Sequence, residues 1–199
     1  MVQTKKEEIY LIILCGLPAT GKSTIAFKLL KALPNYMVVD QNKIRREMGY
    51  QRMPKNRARN HDKVLRRIDQ TIVQNLLANR GVIVDSVNRF TFRRLQLYGI
   101  ASGCGVKGLT LETVCPEKIA KSRMVQRPKS DGLLSDPKYS NVYDRLKKEW
   151  ESVSIDHINF GSDHVSYLKY DSHSNQTTRV IEQKGSKRFI GKIEKILTK

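Results

Sequence analysis

The chain has 199 residues, 39% of them hydrophobic, and carries a formal net charge of +18 from 37 Lys and Arg against 19 Asp and Glu. This length is typical of one core, so we expect residues 1–199 to form a single domain. No stretch approaches the roughly 20 apolar residues of a membrane span, so we expect no membrane segment and no secretory signal.

The pattern of apolar runs predicts an α/β fold with three layers, in which helices flank a mostly five-stranded parallel sheet. The predicted strands span residues 9–14, 36–40, 82–85, 106–114 and 165–170. The predicted helices span residues 24–30, 43–48, 60–79, 92–102, 116–126, 142–150 and 189–197. Two prolines and a glycine within residues 128–140 predict a mobile loop, the centre of a lid over about residues 123–141.

Residues 16–23 match the phosphate-binding motif G-x-x-x-x-G-K-[ST], and they lie between the first predicted strand and the first predicted helix. Glycines let the backbone N–H groups turn toward an anion, and the helix N-terminus adds positive charge. Lys22 then reaches the β- and γ-phosphates, and the Ser23 hydroxyl binds Mg²⁺. The sequence therefore predicts binding of ATP and Mg²⁺, and the predicted ATP-binding residues are Gly16, Ala19, Thr20, Gly21, Lys22, Ser23 and Thr24. A glycine-rich turn without a ligand is the alternative.

Asp40 and Asp85 each end a predicted parallel strand, where the binding crevice of such a sheet lies. Asp85 is a candidate partner for Mg²⁺ or its waters. Asp40 lies where the hydroxyl of a phosphate acceptor would approach, so it is a candidate for the group that takes the proton. A turn or helix-capping role is the alternative for both aspartates.

Arg123 and Arg127 lie four residues apart on one predicted helix, so they share a face and lead into the predicted lid. Arginines at the edge of a closing lid stabilise charge on a transferring phosphoryl group. A closed lid also excludes water, which favours transfer over hydrolysis. We therefore expect Lys22, Asp40, Arg123 and Arg127 to be the catalytic residues, although a solvated basic face would explain the arginines too.

The excess of positive charge predicts a polyanionic partner, because basic surfaces hold phosphates by releasing counterions. We expect a nucleic acid, RNA or DNA, and solubility is the alternative explanation of the charge. The predicted acceptor-binding residues are Arg45, Arg52, Arg57 and Arg89. Arg93 and Arg94 are expected on the same rim. Candidates for base stacking, each with ordinary packing as the alternative, are Tyr50, Phe90 and Phe92.

The three cysteines, Cys15, Cys104 and Cys115, lack the spacing of metal ligands. Their odd number favours reduced thiols over a set of disulfides. We therefore expect an intracellular, cytoplasmic protein.

These elements together resemble the P-loop kinases that include polynucleotide 5′-hydroxyl kinases, adenylylsulfate kinases, seryl-tRNA kinases and zeta-type toxins. The resemblance covers roughly residues 9–172 and lies in GLPATGKST, VVDQNKIRREM, GVIVDSVNRFTFRR, KSRMVQRPKSD and YSNVYDRLKKEWE. The third segment is especially similar to the D-x-x-N-x-x-x-x-x-R stretch of the polynucleotide kinase-like branch. The resemblance implies a lid that closes over the γ-phosphate of ATP, and it carries over the roles of Lys22, Ser23, Arg123 and Arg127.

One position departs from that group. Its members commonly have a general-base aspartate three residues before the arginine of the second segment, and counting back from Arg45 gives Asn42, which cannot accept a proton. Asp40 falls where adenylylsulfate and shikimate kinases have another aspartate, so we expect it either to take over the base role or to bind metal-associated water. Phosphoryl transfer depends mainly on positioning and charge neutralisation, and a weak base is therefore tolerable.

Three functions are open at this point. The first is an ATP-dependent kinase that phosphorylates a hydroxyl of a nucleic acid, above all the 5′-hydroxyl of RNA or DNA. The second is a small-molecule kinase of the same fold, whose binding of a neutral acceptor would depend little on salt. The third is a non-catalytic RNA-binding protein that uses ATP as a switch; Asn42 and the charge favour it, whereas the lid arginines oppose it.

Overall fold

A computed structural model describes residues 8–50, 57–126, 140–156, 160 and 165–198. The predicted α/β class is confirmed, with helices on both faces of a six-stranded sheet. In chain order the elements are β1 Tyr10–Cys15, α1 Lys22–Ala32, β2 Tyr36–Asp40, α2 Gln41–Glu47, α3 Arg57–Leu77, β3 Gly81–Asp85, α4 Thr91–Gly103, β4 Lys107–Val114, α5 Glu117–Val125, α6 Ser140–Lys148, β5 Val165–Asp171, β6 Gln176–Ile181 and α7 Lys187–Thr198.

The strands lie in the order β2-β3-β1-β4-β5-β6, and β1 to β5 are parallel to one another. The chain leaves the centrally placed β1 toward β2 on one side, and it later returns to β4 on the other. This reversal makes the carboxyl end of β1 the switch point at which open α/β sheets bind ligands. The phosphate-binding motif follows β1 directly.

Each face of the sheet packs against its own pair of helices. On one face Ile12 and Ile83 pack with Ile25 and Leu29 of α1 and with Ile193 of α7. The other face packs against α3 and α4 in a second buried cluster. Residues along a strand alternate between the two faces of the sheet. The two clusters therefore show on which face the last side chain of each strand lies.

The sixth strand is the main difference from the predicted sheet. β6 pairs antiparallel with β5 at the edge, after a turn in which Asn175 has a φ of 58°. Its sequence, QTTRVI, shows no alternation of apolar and polar residues because the strand is largely exposed and no helix has to cover it fully. An edge strand of this kind leaves no hydrophobic period in the sequence.

The helix boundaries differ from the predicted ones by one to three residues. α2 begins at Gln41, two residues before the predicted start, because the side chain of Asp40 caps its N-terminus. α6 spans Ser140–Lys148 rather than residues 142–150. Most of the predicted lid, residues 127–139, lies outside the described residues.

None of the helices in the described ranges combines the length and hydropathy that crossing a bilayer requires. All three cysteines fall within those ranges and are free thiols. Cys15 is fully buried at the end of β1, and this burial raises the pKa of its thiol well above the ordinary value. Its thiol is therefore protonated and unreactive at neutral pH.

Candidate active site

The phosphate loop, residues 16–21, connects β1 to α1 through a backbone that requires glycine. Gly16 has a φ of 145° and Gly21 a φ of 102°, both in the region that side chains disfavour. A Cβ added at Gly16 would lie 2.4 Å from the carbonyl oxygen of Thr113 in β4. The loop is therefore pressed against β4, and its glycines permit the conformation in which backbone N–H groups can face an anion.

Two side chains hold this loop in place. Thr20 Oγ1 donates a hydrogen bond to the Leu17 carbonyl at 2.9 Å and shares another with Thr113 Oγ1 at 2.7 Å. Lys22 is buried, and its Nζ donates to the carbonyl oxygens of Gly16 and Leu17, each at 2.9 Å. The ammonium group thus lies directly at the loop, where phosphate oxygens could replace the carbonyl oxygens as its partners.

Ser23 and Asp85, the predicted metal-binding pair, come from α1, which follows the loop, and from β3, which pairs with β1. Ser23 is exposed in the first turn of α1. Asp85 ends β3 and shares a face with Ile83, which packs toward α1. One hydroxyl and one carboxylate fit Mg²⁺, which takes its other ligands from phosphates and water. The described residues contain no group of three or more His, Cys, Asp and Glu side chains that could hold a metal by itself.

Asp40 lies directly beside Asp85, because the two residues are register partners on β2 and β3. Asp40 is also the N-cap of α2: its Oδ1 accepts hydrogen bonds from the backbone N–H of Asn42 at 2.7 Å and of Lys43 at 3.3 Å. The capping role that was the alternative at the sequence level is therefore present. It occupies one carboxylate oxygen, so the base role remains a separate proposal.

Arg123, in the last turn of α5, reaches the phosphate loop. Its guanidinium donates to the hydroxyl of Ser172 at 3.0 Å and approaches the Ala19 carbonyl at 3.4 Å. Ser172 begins the turn between β5 and β6, and a Cβ added at Gly21 would lie 3.3 Å from its Cβ. The arginine thus joins the loop to this late turn. Its predicted partner Arg127 lies outside the described residues.

Two of the predicted acceptor-binding arginines, Arg45 and Arg89, lie near enough to His61 to influence its charge. Desolvation and the positive charge of Arg45 lower the pKa of His61, the positive charges of Arg89 and Arg93 lower it further, and the carboxylate of the neighbouring Asp62 raises it. His61 lies in α3, Arg45 in the last turn of α2, and Arg89 between β3 and α4. We call these three residues the basic cluster. Arg52 lies outside the described residues, as does the side chain of Arg57.

A family model described as an AAA domain matches residues 11–148, which is more than half of the chain. The chain belongs to the AAA_33 family of P-loop kinases. The matched range contains the phosphate loop, the pair of strand-ending aspartates, Arg123 and the basic cluster. The expected relationship to P-loop kinases is thereby confirmed.

Similar proteins show the range of the relationship. L-seryl-tRNA(Sec) kinase from Methanococcus maripaludis is 24% identical over 190 residues, which cover 93% of this chain and 71% of that protein. Chaetomium thermophilum Kti12 in complex with ADP-AlF3 has a TM-score of 0.53 at 22% identity, covering 71% of this chain and 80% of that one. A sugar kinase from Janibacter sp. HTCC2649 has a TM-score of 0.56 at 15% identity, covering 83% and 86%. The two structures share the fold of this AAA_33 protein.

In this AAA_33 protein Arg93 and Arg94 do not lie on the acceptor rim, so that prediction is wrong. Arg93 is 6% exposed and forms an ion pair with Asp69 of α3 at 2.7 Å. Arg94 is fully buried and forms an ion pair with Asp156 at 2.6 Å. Both face inward because α4 packs on α3 and on the segment after α6. Their acidic partners are distant in sequence, so charge counting alone does not find them.

Asn88 supports the phosphate loop, a role that the sequence did not assign to it. Its side-chain Nδ2 donates to the Leu14 carbonyl at 2.7 Å, and its backbone carbonyl accepts a hydrogen bond from Arg94 Nη1 at 2.9 Å. One residue earlier, the Val87 carbonyl accepts from the Gly16 N–H at 3.2 Å. The D-x-x-N-x-x-x-x-x-R stretch thus ties the end of β3 to the start of the loop. The motif itself was the signal that could have identified this support.

Proposed function

We propose that this AAA_33 protein is an ATP- and Mg²⁺-dependent kinase that phosphorylates a hydroxyl of a nucleic acid, the 5′-hydroxyl of RNA or DNA. The observation that carries the proposal is the position of the basic cluster. Arg45 follows β2 and Arg89 follows β3, so both lie beyond the carboxyl ends of the neighbouring strands that Asp40 and Asp85 end, and both influence the charge of His61 on α3. This position supports a polyanion-binding surface next to the proposed phosphoryl donor site.

In the proposed reaction the acceptor oxygen attacks the γ-phosphorus of ATP. A bond forms between that oxygen and the γ-phosphorus while the bond to the β-phosphate oxygen breaks, and ADP leaves. The acceptor proton passes to Oδ2 of Asp40, the carboxylate oxygen that does not cap α2, and from there to water. Lys22 and Arg123 neutralise the negative charge of the phosphates during transfer. Arg127 is proposed to assist from the lid.

Ser23 and Asp85 are the residues proposed to hold Mg²⁺. Bound there, the ion would neutralise phosphate charge and orient the phosphate chain. Asp85, 8% exposed, would act on the ion or on its waters from a largely buried position. The backbone N–H groups of the phosphate loop would donate hydrogen bonds to the phosphate oxygens.

A nucleic acid explains the charge of the chain better than a small acceptor does. A net charge of +18 attracts polyanions over long distances, and a neutral metabolite has no need of such a field. Two further residues in the same region, Lys63 and Arg66, are exposed on α3. The relative from Methanococcus maripaludis is named as a kinase of L-seryl-tRNA(Sec), an acceptor that contains a nucleic acid.

Salt dependence of acceptor binding tests the proposal. We expect the affinity for a 5′-hydroxyl oligonucleotide to fall steeply with salt concentration, and Arg45→Gln to weaken binding and reduce the salt slope by about 1. Arg80→Gln is the matched control, because Arg80 is exposed at the opposite, amino end of β3. Equal slopes for the wild type and Arg45→Gln would contradict the proposed surface. If the protein phosphorylates a neutral small molecule and binds no oligonucleotide, the acceptor is a small molecule and not a nucleic acid.

A further inference from the structure

Two phenylalanines form a stacked pair at the start of α4. The ring centroids of Phe90 and Phe92 are 5.6 Å apart, and the ring planes differ by 22°. Phe92 is 63% exposed. A single exposed apolar side chain is ordinary on a protein surface. Here, however, the exposed ring continues a stack of planar groups, which is the arrangement on which nucleic acid bases lie.

Arg89 extends this stack. Its guanidinium carbon lies 4.1 Å from the centre of the Phe90 ring, and its Nε lies 3.0 Å from a carboxylate oxygen of Glu149. The order is therefore a guanidinium, a ring and a second ring. We call Arg89, Phe90 and Phe92 the aromatic stack. Arginine over an aromatic face adds a cation–π attraction.

The backbone that carries the stack is held by the segment after α6. The N–H of Thr91 donates to a carboxylate oxygen of Glu151 at 2.5 Å, and the Glu151 N–H donates to the Arg89 carbonyl at 3.1 Å. Buried Arg94 also donates to the carbonyl of Glu151 at 3.1 Å. The rings are thus presented on a fixed turn, which reduces the entropy lost when a base stacks on them.

The location of the stack agrees with a role in acceptor binding. Arg89 belongs to both the aromatic stack and the basic cluster, and Arg89 and Arg45 follow the carboxyl ends of the neighbouring strands β3 and β2. The turn begins directly after Asp85, at the carboxyl edge of the sheet. Single-stranded nucleic acids are bound by this combination of a basic surface along the backbone and an aromatic face for a base.

We infer that Phe92, supported by Phe90 and Arg89, stacks against a base near the 5′ end of the acceptor strand. This inference rests on the proposed function, since it assigns the acceptor its base-binding site. Because every base has a flat face, the contact selects single strands without selecting a sequence. A small acceptor that lacks a base would gain nothing from it.

The test measures binding of 5′-hydroxyl oligonucleotides in which each position near the 5′ end is made abasic in turn. We expect one abasic position to weaken binding to the wild type about 5- to 150-fold, the range for losing one base stack. Phe92→Ala should show the same loss with the intact strand and no further loss with that abasic strand. Phe92→Tyr should restore wild-type binding.

Phe27→Ala is the matched control, because Phe27 is 58% exposed and lies under the Lys31 ammonium at 4.6 Å, on α1. Its binding should equal that of the wild type. If Phe92→Ala and Phe27→Ala bind the oligonucleotide equally well, the stacking site is overturned. If that binding still depends on salt, the proposed function stands. The stacking site would also be overturned if Phe92→Ala and the abasic position each weakened binding by the same factor whether or not the other change was present. Absence of any oligonucleotide binding by the wild type at low salt would overturn both.

Discussion

Asp40 and Asp85 are register partners at the carboxyl ends of β2 and β3, side by side on the face of the sheet that α1 covers. Neighbouring strands lie about 4.8 Å apart, so the two residues are adjacent, and the first turn of α1, which carries Lys22 and Ser23, begins at the same carboxyl edge of the sheet. Their surroundings differ: Asp85 is largely buried, whereas Asp40 also caps α2. This difference supports a division of labour, with Asp85 at the metal and Asp40 at the acceptor.

The two roles of Asp40 can be separated by substitution. Asp40→Asn should keep the cap, because asparagine caps helices as well as aspartate does, but it removes the base. We expect kcat to fall about 10²-fold or more with an unchanged melting temperature. Asp40→Ala should lose the same activity and also about 1 kcal/mol of stability. Unchanged kcat in Asp40→Asn, measured by ADP release, would leave Asp40 as a cap and nothing more.

Lys22→Ala should remove the main positive charge at the phosphates. We expect the rate of phosphoryl transfer to fall about 10²- to 10⁴-fold, and affinity for MgATP to weaken, because no other side chain of the loop supplies a charge. Lys31→Ala, in the last turn of the same helix, is the control and should behave as the wild type. Calorimetric titration with a non-hydrolysable ATP analogue and a thermal melt check the two effects. Full transfer activity in Lys22→Ala would remove the loop from the active site.

Gly16→Ala and Gly99→Ala should change stability in opposite directions. At Gly16 a Cβ meets the Thr113 carbonyl oxygen at 2.4 Å with a φ of 145°, so we expect a loss of about 1–3 kcal/mol and of nucleotide binding. At Gly99, within α4, nothing lies within 4 Å of the added atom, so alanine should stabilise by about 0.5–1 kcal/mol. Urea unfolding measures both. A Gly16→Ala protein as stable as the wild type would contradict the described loop.

Arg94→Met should destabilise the protein strongly. Arg94 and Asp156 form a buried ion pair at 2.6 Å, and removing the arginine leaves an uncompensated carboxylate, at a cost of about 3–5 kcal/mol. Arg179→Met is the control, since Arg179 is a partly exposed residue paired with Glu194 at 2.6 Å, and exposed pairs contribute up to about 1 kcal/mol. Chemical unfolding of both variants measures the two losses of stability. Similar losses for Arg94→Met and Arg179→Met would argue against a buried pair.

His61 should make the stability of the protein depend on pH. Its pKa is lowered from 6.5 by desolvation and by the nearby arginines, so the unfolded chain binds the proton more readily than the folded one does. The free energy of unfolding should therefore be highest above pH 6.5 and fall as pH decreases below it. His61→Gln should make this fall shallower, measured by urea unfolding between pH 5 and 7. An identical profile for the variant would contradict the lowered pKa.

The phosphate loop and the parallel strands were predictable because their signals are local. A motif of eight residues, flanked by an apolar run and a helical pattern, carries its own context. Asp40 and Asp85 were found in the same way, from their positions after predicted strands. Their register, however, depends on the strand order, which no local pattern contains.

The remainder required the tertiary structure. Arg93 and Arg94 read as part of a basic rim, but their partners Asp69 and Asp156 come from distant segments and draw both arginines into the interior. His61 lacks any motif and gains a place in the basic cluster only through the packing of α3 beside α2. β6 was missed because an exposed edge strand needs no hydrophobic period.

Transfer of labelled γ-phosphate from ATP to 5′-hydroxyl RNA and DNA oligonucleotides, in the presence of Mg²⁺, tests the central claim most directly. The account predicts label at the 5′ end, removable by a phosphatase, and very little label with Lys22→Ala. It also predicts that added salt suppresses labelling by weakening acceptor binding. A protein that binds ATP but labels neither RNA nor DNA would contradict the account.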